Sequence, residues 1–190
     1  MTLQRMRGQI IRSQSGFFWV QTPNRIFVCK LRGRLKQGAR LGDVAAVGDW
    51  VHIAPTGDGE GMIEEVEPRQ RALVRLAPTP RGEYLQVIIA NPSQAVFTFA
   101  CTRPAPRLGM LDRFLVIAEK QNIPALIVAN KTDLVGMARA RELFDRYLPL
   151  GYPVIYTSVE TGQGIDALRE WLTDRLSVFA GPSGAGKSSL

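Results

Sequence analysis

The chain has 190 residues, 45% of them hydrophobic and 22% charged, a composition typical of a globular protein with one sizeable core or two small ones. No apolar run approaches the roughly 18 residues that cross a bilayer. The two cysteines and single histidine are too few for a zinc site of four Cys/His ligands or for a disulfide framework. These features predict a cytoplasmic protein that is neither embedded in a membrane nor secreted.

The net charge of +7 is concentrated near the N-terminus. Nine of the 24 lysines and arginines lie within positions 1–42, and none of the 17 acidic residues does. Such asymmetry indicates a polyanionic partner for this segment. The alternative is a basic surface that contacts only solvent.

Residues 1–67 are predicted to form an all-β domain. Apolar and aromatic residues fill five short segments, separated by turn residues such as Ser15-Gly16 and Gly57-Asp58-Gly59. Five strands without helical periodicity favour an OB-fold barrel, a fold that binds oligonucleotides. The predicted strands are Gly8–Gln14, Phe17–Gln21, Arg25–Leu31, Trp50–Ala54 and Gly61–Glu67.

Basic residues occupy alternate positions from the end of the third predicted strand onward. In an extended chain, alternate side chains lie on the same side. We therefore predict that RNA phosphates contact a basic stripe formed by Lys30, Arg32, Arg34, Lys36 and Arg40.

Residues 68–83 contain three prolines and several charged side chains, and they are predicted to be a linker. From residue 84 to 190, apolar strands alternate with amphipathic helices, which is typical of a parallel sheet covered by helices on both faces. The predicted strands are Gln86–Ala90, Ala95–Ala100, Pro124–Ala129, Pro153–Tyr156 and Ser177–Ala180. The predicted helices are Met110–Gln121, Ala138–Tyr147 and Ile165–Leu176.

The last residues of the chain contain the pattern GxxxxGK[ST] of a phosphate-binding loop. Glycines let backbone N–H groups approach phosphate oxygens, the lysine reaches the β- and γ-phosphates, and the Ser188 hydroxyl is a ligand for Mg²⁺. The predicted strand before the loop supports this interpretation over an ordinary glycine-rich turn. The predicted nucleotide-binding residues are Gly181, Pro182, Ser183, Gly184, Ala185, Gly186, Lys187, Ser188 and Ser189.

A second motif, Asn130-Lys131-Thr132-Asp133, follows a predicted strand and matches the NKxD motif that selects guanine in GTPases. A carboxylate such as Asp133 can accept hydrogen bonds from guanine N1–H and from the exocyclic amino group, a donor pair that adenine lacks. A third segment, Thr157-Ser158-Val159, follows the next strand, where GTPases have a short loop that supports the guanine.

The order of these motifs is unusual, because the NKxD sequence precedes the phosphate-binding loop. The strands of a parallel sheet can be connected in a rotated order when the termini lie close together. We therefore predict a circular permutation, in which the terminal glycine loop folds back beside Asp133 to line one nucleotide cleft.

Together these features resemble the RsgA/YjeQ family of circularly permuted GTPases that depend on the small ribosomal subunit. The resemblance extends over essentially the whole chain, although Val159 stands where the family has alanine. Further matching segments are Cys29-Lys30-Leu31-Arg32-Gly33, Val47-Gly48-Asp49-Trp50-Val51, Ile63-Glu64-Glu65-Val66, Ala90-Asn91-Pro92-Ser93-Gln94 and Leu111-Asp112-Arg113-Phe114-Leu115.

The resemblance implies a five-stranded OB-fold barrel followed by a circularly permuted P-loop GTPase domain. It also implies GTP hydrolysis during maturation of the small ribosomal subunit, contact with ribosomal RNA through the barrel, and GTP or GDP bound with Mg²⁺. We expect a cytoplasmic monomer. No catalytic residue is predicted.

In the family, the sequence continues into switch segments, a DxPG sequence and a Cys/His zinc-binding domain. We therefore expect this chain to be an N-terminal portion, cut after the phosphate-binding loop and deficient in hydrolysis by itself, with zinc only in the missing region. Two alternatives remain: an RNA-binding OB module whose nucleotide site does not function, and a phosphate-loop protein that uses ATP.

Overall fold

A computed structural model describes residues 5–36, 43–79 and 82–190. The chain divides into two compact units, Met1–Asn91 and Pro92–Leu190. In the described ranges, no helix is both long and apolar enough to cross a membrane.

The first unit contains the closed barrel predicted from the sequence. Its strands are β1 (Met6–Gln14), β2 (Phe17–Gln21), β3 (Ile26–Leu31), β4 (Trp50–Gly57) and β5 (Glu60–Val66), in the spatial order β1-β2-β3-β5-β4. The barrel closes because β1 pairs with both β2 and β4. Alternate apolar side chains point inward, as the period-two pattern requires. The barrel core contains Ile10, Phe18, Val20, Phe27, Cys29, Val51, Ile53 and Ile63.

A β-hairpin follows the barrel and belongs to the same unit. Strand β6 (Ala72–Thr79) pairs antiparallel with β7 (Gly82–Ala90). Part of the predicted linker 68–83 thus lies in this hairpin, and the predicted strand Gln86–Ala90 pairs with β6 instead of joining the parallel sheet. One arginine and one proline interrupt the apolar pattern of β6, whose Leu73 lies opposite Ile89 with both buried. That residues 1–67 and 84–190 are the two functional domains stays a prediction.

The second unit contains the predicted parallel sheet. Its strands are β8 (Gln94–Ala100), β9 (Ala125–Asn130), β10 (Val154–Thr157) and β11 (Ser177–Ala180), in the order β10-β9-β8-β11. Every residue of β8 is buried, as expected for a central strand covered on both faces. The helices are α2 (Leu108–Lys120), α3 (Met137–Phe144) and α4 (Ile165–Leu172), and the first unit contains a one-turn helix α1 (Gly33–Lys36).

Two predicted helices end earlier than expected. Helix α4 stops at Leu172, and Asp174 then adopts a positive φ of 56°, which turns the chain back toward β11. Helix α3 changes at Asp145 into 3₁₀ turns that run to Leu150 and include a proline. The helical spacing of apolar residues continues past the ends of α3 and α4, so the sequence pattern did not show where these helices stop.

The parallel sheet places its loops together. The carboxyl ends of parallel strands lie at one edge of a sheet, where ligands bind in open α/β folds. The NKxD residues follow β9, Thr157 ends β10, and the glycine loop follows β11. The three predicted segments therefore lie at the same edge.

Candidate nucleotide-binding site

The glycine loop and the NKxD segment are hydrogen-bonded to each other. Asn130 Nδ2 donates to the Ala185 carbonyl at 3.0 Å, and Lys131 Nζ donates to the Gly184 carbonyl at 2.7 Å. Lys131 Nζ also donates to the Arg103 carbonyl at 2.6 Å. Two side chains thus connect the loops that follow β8, β9 and β11.

The Thr157-Ser158-Val159 segment is attached to the same junction. The Thr157 hydroxyl donates to Asn130 Oδ1 at 3.0 Å, and the Thr132 hydroxyl lies 3.1 Å from the Thr157 carbonyl. Asn130, Thr132 and Thr157 are almost completely buried. Because buried polar groups are costly to leave unpaired, these hydrogen bonds hold the segments in one arrangement.

Asp133 lies in a cleft of about 430 Å³ at this junction. The Ser158 hydroxyl donates to Asp133 Oδ1 at 2.6 Å and orients the carboxylate. A carboxylate has about four acceptor positions, so Asp133 can accept further hydrogen bonds from a ligand. The cleft is lined by Arg103, Asn130, Lys131, Asp133, Leu134, Val159, Glu160, Gly186 and Ser189.

The glycine loop forms a second, adjoining cavity of about 360 Å³, with Lys131 common to both. Lys187 Nζ donates to the carbonyls of Gly181 and Pro182 at 2.9 and 2.7 Å, so its ammonium group is held against the loop. The cavity is lined by Lys131, Ser183, Gly184, Gly186, Lys187, Ser188 and Ser189.

Magnesium would be compatible with this cavity. The Ser188 hydroxyl lines it, and Mg²⁺ is normally held in such sites by one or two protein ligands together with substrate phosphates and waters. Within the described ranges, no cluster of three His, Cys, Asp or Glu residues forms a metal site. The ion would therefore arrive with a phosphate ligand.

Sequence analysis missed three cleft residues. Leu134 and Glu160 directly follow predicted motif residues, and this adjacency was the available signal. Arg103 follows β8, and no motif marks it, although its position beyond a central parallel strand places it at the ligand edge. Cys101 is buried nearby, and burial, with a smaller contribution from the Asp133 charge, raises the pKa of its thiol to about 11. The thiol is therefore protonated and unreactive.

Gly186 is required by the close approach of the two motifs. It has a φ of +93°, and a Cβ atom there would lie 2.3 Å from Asn130 Nδ2. Gly186→Ala is expected to break the Asn130–Ala185 hydrogen bond and to weaken guanine-nucleotide binding about 5- to 100-fold. Titration with a fluorescent guanine nucleotide measures this loss.

Gly151→Ala is the matched control. Gly151 has a similar φ of +87°, but a Cβ atom there would meet nothing within 4 Å. Both variants carry the backbone strain of about 1–2 kcal/mol for an L-residue in this region. Equal nucleotide affinity in the two variants would contradict the assigned contact.

The basic stripe on the barrel was predicted from an extended chain, and that conformation was wrong for part of it, while the RNA contact of its residues stays a prediction. The backbone is helical over residues 33–36 (α1), so the extended, alternating arrangement does not continue past Arg32. Arg32 and Arg34 both pair with Glu64, whose side chain is only 7% exposed. These arginines neutralise a buried carboxylate, a role that spacing alone does not reveal. Arg40 lies outside the described residues.

Other cations lie over aromatic rings on the outer face of the barrel. The Arg12 guanidinium is 4.5 Å from the centroid of the Trp19 ring, and Lys30 Nζ is 4.8 Å from that of Phe17. Arg12 and Trp19 are cross-strand neighbours, as are Phe17 and Lys30. In the described residues, neither cation has a carboxylate partner within 4 Å, so both charges remain available to a polyanion.

Family models match both units. The model of the RsgA GTPase matches residues 66–190, and that of the RsgA N-terminal domain matches residues 7–63. The chain belongs to the RsgA GTPase family. The GTPase model alone covers more than half of the chain, so the predicted family membership is confirmed.

Curated relatives support this assignment. The small ribosomal subunit biogenesis GTPase RsgA of Moorella thermoacetica is 42% identical over 186 residues, covering 97% of this chain and 59% of the relative. The protein of the same name from Gemmatimonas aurantiaca is 42% identical over 187 residues, covering 96% and 60%. The chain therefore spans about three fifths of the length of these relatives.

Solved structures have the same fold. YjeQ from Thermotoga maritima aligns with a TM-score of 0.78 and 32% identity, covering 98% of this chain and 63% of YjeQ. YloQ, described as a circularly permuted GTPase, aligns with a TM-score of 0.71 and 30% identity at the same coverage. The predicted barrel followed by a circularly permuted GTPase fold is thereby confirmed.

Proposed function

We propose that the cleft at Asp133 and the adjoining glycine-loop cavity together bind GTP and GDP. The observation that carries this proposal is the hydrogen-bonded junction of Asn130 with Ala185 and of Lys131 with Gly184. The junction holds the Asp133 carboxylate beside the glycine loop. A nucleotide needs this arrangement, because its base and its phosphates are only a few ångströms apart. Lys131, Gly186 and Ser189 line both cavities, so the two lie side by side.

Asp133 selects the base in this proposal. Its carboxylate accepts hydrogen bonds from guanine N1–H and the exocyclic amino group, while Ser158 holds the carboxylate in place. Leu134 and Val159 supply apolar surface for the base within the same cleft. Adenine would leave the carboxylate without its donor pair, at a cost of about 1–3 kcal/mol.

The glycine loop holds the phosphates. Its backbone N–H groups and the Lys187 ammonium supply positive charge, and Ser188 is the proposed ligand for Mg²⁺. When bound, Mg²⁺ neutralises charge on the β- and γ-phosphate oxygens. Lys187 presently donates to two loop carbonyls, and phosphate oxygens would take over as its acceptors.

We further propose that the intact protein is a cytoplasmic, monomeric GTPase that acts in biogenesis of the small ribosomal subunit. The names of the curated relatives support this activity and this partner. The barrel is proposed to contact ribosomal RNA. Its support is the basic N-terminal segment and the cation–aromatic pairs on the outer face.

Competitive titration tests the nucleotide proposal. A fluorescent guanine nucleotide bound to the chain in the presence of Mg²⁺ is displaced by GDP, GTP, ADP or ATP. The guanine nucleotides are expected to bind about 5- to 150-fold more tightly than the adenine nucleotides, because only guanine satisfies Asp133.

Two other outcomes would identify the alternatives. Equal affinity for adenine and guanine nucleotides would support a phosphate-loop protein that uses ATP. Binding of RNA without binding of any nucleotide would support an OB module with a non-functional nucleotide site. Either result would contradict the proposal that Asp133 reads guanine.

A further inference from the structure

A cleft of about 460 Å³ lies on the outside of the barrel, away from the cations over Trp19 and Phe17. Three cross-strand neighbours form a row at its centre. Gln9 of β1 lies opposite Gln21 of β2 on one side and opposite Trp50 of β4 on the other. The cleft is lined by Arg7, Gly8, Gln9, Gln21, Thr22, Pro23 and Trp50.

Trp50 and Arg7 form a fixed flat surface in this cleft. The Arg7 guanidinium lies 4.0 Å from the centroid of the Trp50 ring. Glu67 accepts two hydrogen bonds from the guanidinium, at 2.7 and 3.0 Å, and the pKa of Glu67 is lowered mainly by that contact. His52 Nε2 also lies 3.0 Å from Glu67. The cation is therefore positioned before any ligand arrives.

The two glutamine amides are oriented by the backbone. Gln9 Nε2 donates to the Gly48 carbonyl at 3.2 Å, and Gln21 Nε2 donates to the Thr22 carbonyl at 2.8 Å. Since a backbone carbonyl only accepts, each amide must turn its nitrogen toward that carbonyl. Each Oε1 thus remains an acceptor with no hydrogen-bond partner among the residues that the structure describes.

We propose that this cleft binds one unpaired RNA base that carries an exocyclic amino group. The indole and guanidinium provide a stacking surface, and the two glutamine oxygens match the two N–H donors of an amino group. Uracil has a carbonyl oxygen where cytosine has that amino group. This oxygen would face the two glutamine oxygens, which are also acceptors, and no hydrogen bond would form. The proposal rests on the proposed RNA contact of the barrel.

Charge favours RNA over a protein segment as the occupant. Positions 1–42 carry nine basic residues and no acidic one, and two of them, Arg12 and Lys30, have no carboxylate partner within 4 Å among the described residues, although Arg7 in the cleft is paired with Glu67. Stacking and phosphate contact together are how OB-folds hold single strands.

Two oligonucleotides of equal length, oligo(rC) and oligo(rU), provide the test with the whole chain. Their bases differ at C4, which carries an amino group in cytosine and a carbonyl in uracil, and at N3, which is an acceptor in cytosine and a donor in uracil. By fluorescence anisotropy, oligo(rC) is expected to bind about 5- to 20-fold more tightly. Trp50→Leu is expected to weaken binding of oligo(rC) about 5- to 100-fold. Gln9→Met and Gln21→Met are expected to reduce the preference for oligo(rC) with little change for oligo(rU).

The double variant Arg12→Gln/Lys30→Gln is the control. These cations lie outside the cleft, so their loss should weaken both oligonucleotides equally and preserve their ratio. Trp50→Phe keeps an aromatic ring, and it provides the same test if the Trp50→Leu variant does not fold. Its oligo(rC) affinity should lie between those of the wild type and Trp50→Leu.

The outcomes separate this inference from the proposed function. RNA binding with equal affinity for both oligonucleotides, or a preference that survives Gln9→Met and Gln21→Met, would overturn the base pocket and leave the RNA contact intact. Absence of RNA binding at low salt would overturn both. Binding of an acidic peptide to the cleft in competition with oligo(rC) would point to a protein partner instead.

Discussion

Replacing Arg69 with methionine is expected to lower the free energy of unfolding of the first unit by about 3–5 kcal/mol. Asp49 is completely buried, and its carboxylate accepts from Arg69 Nε at 2.8 Å and from Nη2 at 2.7 Å. The Ala46 N–H also donates to this carboxylate. Without the guanidinium, a buried negative charge would keep only that N–H as its partner, which is why the effect is large.

Arg69 also holds the loop before β4 in place. Its Nη2 donates to the Asp43 carbonyl at 2.9 Å, while the Asp43 carboxylate accepts from the Tyr84 hydroxyl at 2.8 Å and from the Val87 N–H at 2.9 Å. Hydrogen bonding to Asp49 raises the pKa of Arg69, so the cation persists at every working pH. Barrel and hairpin are therefore expected to lose stability together.

Urea denaturation followed by tryptophan fluorescence measures this effect in a Trp171→Phe background, because the remaining Trp19 and Trp50 both lie in the first unit. Arg25→Met is the matched control, since Arg25 pairs with Asp58 on the exposed surface of the same unit. Exposed pairs of this kind contribute less than about 1 kcal/mol. Similar losses in the two variants would show that burial of Asp49 does not determine the energy.

Replacing Asp133 with asparagine is expected to reverse the base preference of the nucleotide site. Guanine presents two donors, and an asparagine amide offers one acceptor and one donor, so a hydrogen bond is lost and two donors face each other. GDP binding should weaken about 5- to 150-fold, which corresponds to about 1–3 kcal/mol. Xanthosine diphosphate has a carbonyl oxygen in place of the exocyclic amino group, and it should bind the variant more tightly than GDP.

The environment of Asp133 fixes the orientation of this amide. The Ser158 hydroxyl accepts from the Thr161 N–H at 3.3 Å and donates to Oδ1 of Asp133. The asparagine oxygen is expected to keep the Ser158 bond, which leaves the amide nitrogen at the position of the second carboxylate oxygen. Calorimetric titration with GDP and xanthosine diphosphate measures the reversal.

Asp166→Asn provides the control, because it removes one carboxylate charge from the exposed surface of α4. It should change affinity for neither nucleotide. If Asp133→Asn weakens GDP and ADP to the same extent, the carboxylate supports the fold of the loop and does not read the base.

Local patterns predicted most of the elements. The bounds of β2 and β11 agree with the expected Phe17–Gln21 and Ser177–Ala180, because turn residues or glycines border both apolar runs. The parallel strands were recognised from continuous apolar runs, and the motif residues were found because their spacing is local. Strand β6 was missed because it contains a proline, Pro78, which a two-stranded hairpin tolerates.

The contacts of the basic residues could not be predicted. Glu64 lies 32 positions from Arg32 and 30 from Arg34, and only the parallel pairing of β3 with β5 brings them together. The same holds for Arg69 and Asp49, which are 20 positions apart. Alternating charges in the sequence therefore indicated a surface stripe, although two of its arginines, Arg32 and Arg34, compensate the buried Glu64.

The sequence by itself determined the chemical groups of this protein: a carboxylate with the potential to read guanine, a glycine loop suited to phosphate, and an excess of cations near the N-terminus. Each lies within a few neighbouring residues, where spacing specifies local geometry. Only the tertiary structure decided that Asn130 meets Ala185, 55 positions later, and that Trp50, Gln9 and Gln21 form one row. Such contacts depend on strand pairing and register, which are set by packing of the whole unit and not by any local segment.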